Sequence, residues 1–315
     1  MKNTLRYLIA FVLIVFLIIL PHVLGKNYYI HMLVMAGIYS MLACSLGLII
    51  GFAGQVSLCH AAFYGIGAYT SALLSLNFGW SFWITFWIGG LVAGACAFLF
   101  GRVVLKFKGH ALAITTALFG IVVMLVLTNW IELTKGPMGL PGIPRPTPIS
   151  LGGFEVKFQT RIEYYYLVLM FVFLMAYIIH RIINSRLGNA LLAVRENEEV
   201  AQSVGIDPMR YKLFGFVIGS AFAGIAGSFY AHYILFISPV TFTISESINV
   251  LVMAVFGGIQ TFMGPILGAV GLTLLTELLR IAGDIRMAIY GVALMVVIIF
   301  MPMGVVGTLK EKMGR

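Results

Sequence analysis

The chain alternates long apolar runs with short polar punctuation. Runs of about 18 or more apolar residues match membrane-crossing helices, because about 20 residues at 1.5 Å rise cover a hydrocarbon core ~30 Å thick. Over 315 residues the pattern predicts about ten crossings, near 7–24, 28–50, 58–76, 82–101, 111–131, 163–183, 213–237, 247–262, 264–280 and 286–303. The runs are continuous rather than alternating in short segments, which disfavours a β-barrel. The expected fold is therefore an all-α polytopic membrane protein. It forms a single transmembrane domain over 1–315, with one large loop at 132–162 and one charged loop at 184–212.

Two stretches interrupt the apolar pattern without a charged loop: Gly51 to His60 (GFAGQVSLCH) and Phe256 to Pro265 (FGGIQTFMGP). Each holds an aromatic, small residues and a nearby glutamine. Non-helical backbone at membrane depth is tolerated only where protein or a water-filled cavity satisfies its N–H and C=O groups. Broken helices in corresponding positions of two halves point to a transport pathway. Both segments are thus expected to be broken or re-entrant, with Gly54, Gln55, Ser57, His60, Gly257, Gly258 and Gln260 lining or shaping a pathway. The alternative is a pair of tight turns. His60 itself reads as a hydrogen-bonded structural residue rather than a proton relay.

Composition sharpens this reading. The chain is 61% hydrophobic, only 10% charged and carries 35 glycines, with a mean hydropathy of +1.04. Small residues let membrane helices approach closely. The net charge of +9 reads as the positive-inside bias rather than nucleic-acid binding. With the N-terminus inside, the inner segments hold most of the basic residues, including Arg102, Lys106, Lys108, Arg181, Arg186, Arg195, Arg210 and Lys212. Both termini are then cytoplasmic. No small-x-small cleavage site follows the N-terminal apolar run, since Pro21-His22-Val23-Leu24 comes next, and the run reads as a retained first helix. Cys44, Cys59 and Cys96 show no metal-ligand spacing and read as small buried hydrophobes. Glu277 and Arg280 are spaced to pair or to snorkel. Glu246, in a Ser/Thr-rich stretch, reads as solvated. The loop 132–162 is rich in proline and glycine and reads as ordered but irregular, either a cap and receptor-contact surface or a plain connector.

The charged island Asn184 to Lys212 is out of character for such a chain and reads as a docking surface. The chain has no G-x-x-x-x-G-K-[ST], so a nucleoside triphosphate has no P-loop cradle here. H-E-x-x-H, G-x-S-x-G, a TVGYG-like filter and an Arg-rich sensor helix are also missing. What remains is a conduit energised from elsewhere, with a stand-alone channel or secondary carrier as the alternative and a membrane enzyme a distant third.

Within the island, Glu199-Val200-Ala201-Gln202-Ser203-Val204-Gly205 resembles the E-A-A-x-x-x-G loop of ABC importer permeases. Gly51 to Leu58, His60-Ala61-Ala62-Phe63, Gly65 to Tyr69, Arg210 to Leu213, Ala223 to Gly227, Gly257-Gly258 and Gly264 to Ala269 are similar to the branched-chain amino acid ABC transporter permease family, specifically its LivM-like subunit. The similarity covers about residues 30 to 305. The sequence departs from the family at Cys59, where glycine is usual, and at Lys135 in Thr134-Lys135-Gly136-Pro137, where a small residue is common.

The resemblance implies a non-enzymatic permease subunit in the inner membrane, importing leucine, isoleucine, valine or related small amino acids and amides by alternating access. It implies a second, homologous permease, two cytoplasmic ABC ATPases and an extracytoplasmic binding protein as partners. It implies no cofactor in this chain, ATP and Mg being held by the ATPases. Arg195, Glu198, Glu199, Ala201 and Gly205 would form the coupling segment, with the charges offered to the ATPase, Ala201 allowing close seating and Gly205 ending the helix.

Overall fold

The computed structural model describes residues 15–23, 25–151, 154–279, 291–292, 295, 299–301 and 303–314. The first half of the first expected span and most of the last lie outside these residues, as does Arg280. After a helical segment at 15–23 come α1 (Asn27–Gly47), α2 (His60–Phe78), α3 (Phe82–Val104), α4 (Gly109–Asn129) and α5 (Arg161–Ile183). They are followed by α6 (Arg186–Glu196), α7 (Glu198–Ser203), α8 (Pro208–Ile234), α9 (Ile244–Gly257), α10 (Gly264–Leu278) and α11 (Gly304–Gly314). Among the described residues, five helices are long and apolar enough to cross a bilayer: 27–52, 82–104, 109–129, 161–183 and 208–234. The protein is therefore an all-α polytopic membrane protein. The helices α9 and α10 are apolar but shorter.

The core forms where α8 runs between α2 and α3, and glycines set the spacing. A Cβ on Gly67 would collide with the Gly224 backbone, and one on Gly227 with the Tyr64 carbonyl. Backbones meet directly, so van der Waals packing replaces the hydrophobic drive that lipid does not supply. Larger side chains fill the flanks. Phe86 stacks on Phe171 with ring centroids 4.3 Å apart, and Phe63 meets Phe216 edge-on at 5.6 Å.

One end of this core is tied by a buried polar knot. His232 Nδ1 donates to the Pro144 carbonyl at 2.7 Å, and its Nε2 lies 2.9 Å from Ser71 Oγ. The strand Leu140–Pro141 pairs antiparallel with Phe236–Ile237 just beyond α8. The Pro/Gly-rich loop is thus fastened to the helix end by main-chain pairing and one histidine. Lys135 occupies the left-handed region at φ 59°, between Thr134, whose hydroxyl donates to the Leu127 carbonyl at 2.6 Å, and Gly136.

Candidate functional site: the charged loop on the first glycine-rich break

The helix α1 does not end cleanly. Its last turn widens into a π-helix, Leu48–Phe52, in which the Ala53 N–H reaches the Leu48 carbonyl at 3.1 Å. The backbone then leaves the helix until His60, and Gly54 takes φ +69°, a value glycine adopts without strain. The second break leaves α9 at Gly258 (φ +115°) and re-enters at Gly264. Thr261 holds it, its hydroxyl donating to the Gly258 carbonyl at 2.9 Å and accepting from the Gly264 N–H at 3.0 Å. The two breaks touch: a Cβ on Gly51 would collide with the Ile259 carbonyl.

The charged loop sits on the first break. Ser185 caps α6, Asn197 caps α7 by accepting from Glu199 and Val200 N–H at 3.0 and 3.1 Å, and Asp207 caps α8. Past α7 the Gly205 N–H returns to the Gln202 carbonyl and the Ile206 N–H to the Ala201 carbonyl, both at 3.0 Å. This Schellman closure needs the left-handed φ of +86° at Gly205. Leu191 packs with Leu48, Phe52 and Ala53, so the apolar side of α6 lies on the π-helix and the break.

Polar contacts complete the join. Arg195 lies against Gly54, where a Cβ would come within 2.6 Å of Arg195 Cγ. Its Nη1 donates to the Gly51 carbonyl at 2.5 Å and its Nη2 meets Glu196 at 2.6 Å. Glu198 pairs with Lys212 and, at 3.1 Å, with Lys108. Partial burial acts against ionisation of Glu198, yet the two ammonium groups outweigh it and hold the carboxyl below its ordinary value.

The structure thus turns the charges of Arg195 and Glu198 inward and buries Ala201. Glu199 is exposed, as are Val200 and Val204, whose apolar side chains have 59% and 72% of their surface open. The outward face of α7 and its C-cap is Glu199, Val200, Gln202, Ser203 and Val204 rather than the full charge set.

Most of the residues expected in the pathway are buried, Gly54 and Gln260 being exposed. Gln55 is buried with neither amide atom hydrogen-bonded. Ser57 Oγ lies 3.3 Å from Cys59 Sγ, and His60 Nε2 is 2.8 Å from Ser45 Oγ. Cys59 is fully buried, with Gly120 of α4 lying across its backbone. Gly257 and Gly258 are buried in backbone contacts. Gln260 lines a recess of about 400 Å³ shared with Val255, Ile259, Thr261 and Met303.

A family model described as "Branched-chain amino acid transport system / permease component" matches residues 28–302. The chain belongs to this family. It is 38% identical over 288 residues to the high-affinity branched-chain amino acid transport system permease protein LivM of Salmonella typhimurium, covering 86% of this chain and 68% of that one. LivM of Escherichia coli K12 is 38% identical over 285 residues, 85% and 67% of the two chains. The high-affinity branched-chain amino acid transport system permease protein LivH of the same strain is 24% identical over 283 residues, 85% of this chain and 91% of its own. No solved structure matches the chain.

Within this permease family member, a further cavity lies away from both breaks. It is a groove of about 590 Å³ between the first half of α1, α9 and the latter half of α10, reaching Met32, Met35, Tyr39, Asn249, Val252 and Glu277. Glu246 stands beside it in the first turn of α9, half-buried, with Tyr39 and Asn249 as polar neighbours. The expectation of a solvated Glu246 is thereby corrected: the helix begins at Ile244 and carries the carboxylate into the protein. The signal was present in the sequence as Glu246 and Asn249 three residues apart on an apolar helix, a spacing that puts both on one face.

Proposed function

We propose that this protein is one of two related transmembrane permease subunits of an ABC importer for branched-chain amino acids. The observation that carries the reading is the 38% identity maintained over 288 residues with a branched-chain amino acid permease. The family is one of transport permeases, so the chain is a conduit rather than an enzyme. A companion permease, two cytoplasmic ATPases holding ATP and Mg, and an extracytoplasmic binding protein complete the machine in the inner membrane. Ten crossings with both termini cytoplasmic put loop 184–212 beside the ATPases and loop 132–162 beside the binding protein. This orientation also satisfies the distribution of basic residues.

In this reading α7 is the coupling helix, seated on an ATPase through Val200, Val204 and Glu199. Nucleotide-driven movement of the helix reaches the pathway through Arg195, which grips the first break at Gly51, and from there passes to the second break at Ile259. Glu198, Ala201 and Gly205 hold the helix in shape. The two glycine-rich segments are the re-entrant parts of the fold, and their backbone contact makes them move together.

The test is a double substitution, Glu199→Lys with Gly205→Val, in the complete importer. Uptake per ATP hydrolysed is expected to fall about tenfold, as a partner contact and the helix end are lost together. Coupled transport at the parent rate overturns the docking role of α7.

A further inference from the structure

We propose that the groove between α1, α9 and α10 is a resting site for the transported amino acid. Its ammonium end would be drawn to the Glu246–Tyr39–Asn249 cluster, and its branched side chain would lie on Met32, Met35 and Val252. The inference rests on the importer reading and adds the place and chemistry of substrate contact.

Three observations converge on it. The first is size: about 590 Å³ accommodates one aliphatic amino acid with room for water. The second is charge. Glu246 is half-buried, its polar neighbours Tyr39 and Asn249 are neutral, and among the described residues no lysine or arginine forms an ion pair with it. A carboxylate partly withdrawn from water, without a cation, leaves a local negative potential that an ammonium group satisfies. No lysine or arginine is among the described residues lining the groove either. The third is the apolar wall. Methionines are unbranched and polarizable, so Met32 and Met35 adapt to side chains that differ by one methyl group. A wall of this kind takes leucine, isoleucine and valine with small differences, since one methylene in an apolar pocket discriminates weakly.

The groove also has a mechanical relation to the breaks. The helices α9 and α10, which form two of its walls, are joined by the second break, and α1 ends in the first. The contact between Gly51 and Ile259 closes the same three-helix unit at the far end. A shift at the breaks therefore changes the width of the groove.

The experiment uses proteoliposomes holding the complete importer and supplied with ATP and binding protein. Glu246→Gln removes the charge with little change in volume, and leucine uptake is expected to drop about tenfold with the assembled complex recovered at the parent level. Should that variant fail to assemble, Val252→Cys decides: labelling of the new thiol by a maleimide is expected to slow about threefold or more with free leucine and to be unchanged with free glutamate. Parental uptake by Glu246→Gln, or labelling that leucine does not slow or that glutamate slows equally, overturns the groove assignment. Absence of ATP-driven leucine uptake by the unsubstituted importer is a separate result and overturns the importer reading itself.

Discussion

The guanidinium of Arg195 donates to the carbonyl of Gly51 at 2.5 Å. It thereby joins a charged loop to the point where α1 unwinds, and Gly51 in turn lies against the Ile259 carbonyl of the second break. Replacing Arg195 with alanine removes the donor and the packing against Gly54. Leucine moved per ATP hydrolysed is expected to fall about tenfold, with lysine at this position restoring part of the loss because it can reach one carbonyl but lacks the planar fork. Equal ratios in all three proteins, measured by parallel uptake and phosphate release, would remove Arg195 from the coupling route.

The contact between the breaks makes Gly51 intolerant of a side chain. Gly51→Ala is expected to destabilise the protein by about 2 kcal/mol, since the Ile259 carbonyl must be displaced. Gly271 is the control. It sits within α10, where an added Cβ meets only Phe256 at 3.6 Å, and alanine there is expected to be neutral or stabilising by less than about 1 kcal/mol. Thermal midpoints in mild detergent distinguish the two, and a Gly51→Ala protein as stable as the parent would contradict the close approach.

At the other end of the core, His232 holds the Pro144 carbonyl and Ser71 together. His232→Ala leaves both without this partner and opens a cavity beside Phe82, whose ring lies 5.0 Å from the imidazole. A loss of about 3 kcal/mol is expected, accompanied by faster proteolysis within 132–162. Unchanged protease resistance of that loop would show that the strand pairing alone fastens it.

Glu198 sets a pH dependence whose sign is fixed by its lowered pKa. Its contribution is fully present above the ordinary carboxylate value of 4.5 and is lost as pH falls through the lowered value in the folded protein. Glu198→Gln is expected to flatten the acid limb of the stability profile. At neutral pH, Glu198→Ala should cost about 3 kcal/mol because Lys212, 11% exposed, is left unpaired. Lys108→Ala, at a site 68% exposed, should cost less than about 1 kcal/mol. Equal costs for the two would contradict this division.

Much of the fold was legible because helix length in a membrane is set by bilayer thickness. The apolar runs at 28–50, 82–101, 111–131 and 163–183 became α1, α3, α4 and α5 with ends shifted by a few residues. Gly205 was legible as a helix stop because few other residues adopt its φ. The inward turn of Arg195 was not, since its partner is a main-chain carbonyl 144 residues away that leaves no pattern in side-chain types. Glu246 was misplaced because a carboxylate among serines and threonines looks solvated until α1 and its Tyr39 are packed beside it. The groove needs three helices from distant parts of the chain, so no local spacing announces it.

The most direct test of the account is gentle purification of this protein from its native membrane, with identification of whatever accompanies it. Recovery of a second, homologous permease together with a P-loop ATPase, in a complex that takes up leucine only when ATP is supplied, is the predicted result. Recovery of this chain alone, moving solute in vesicles without ATP, would contradict it.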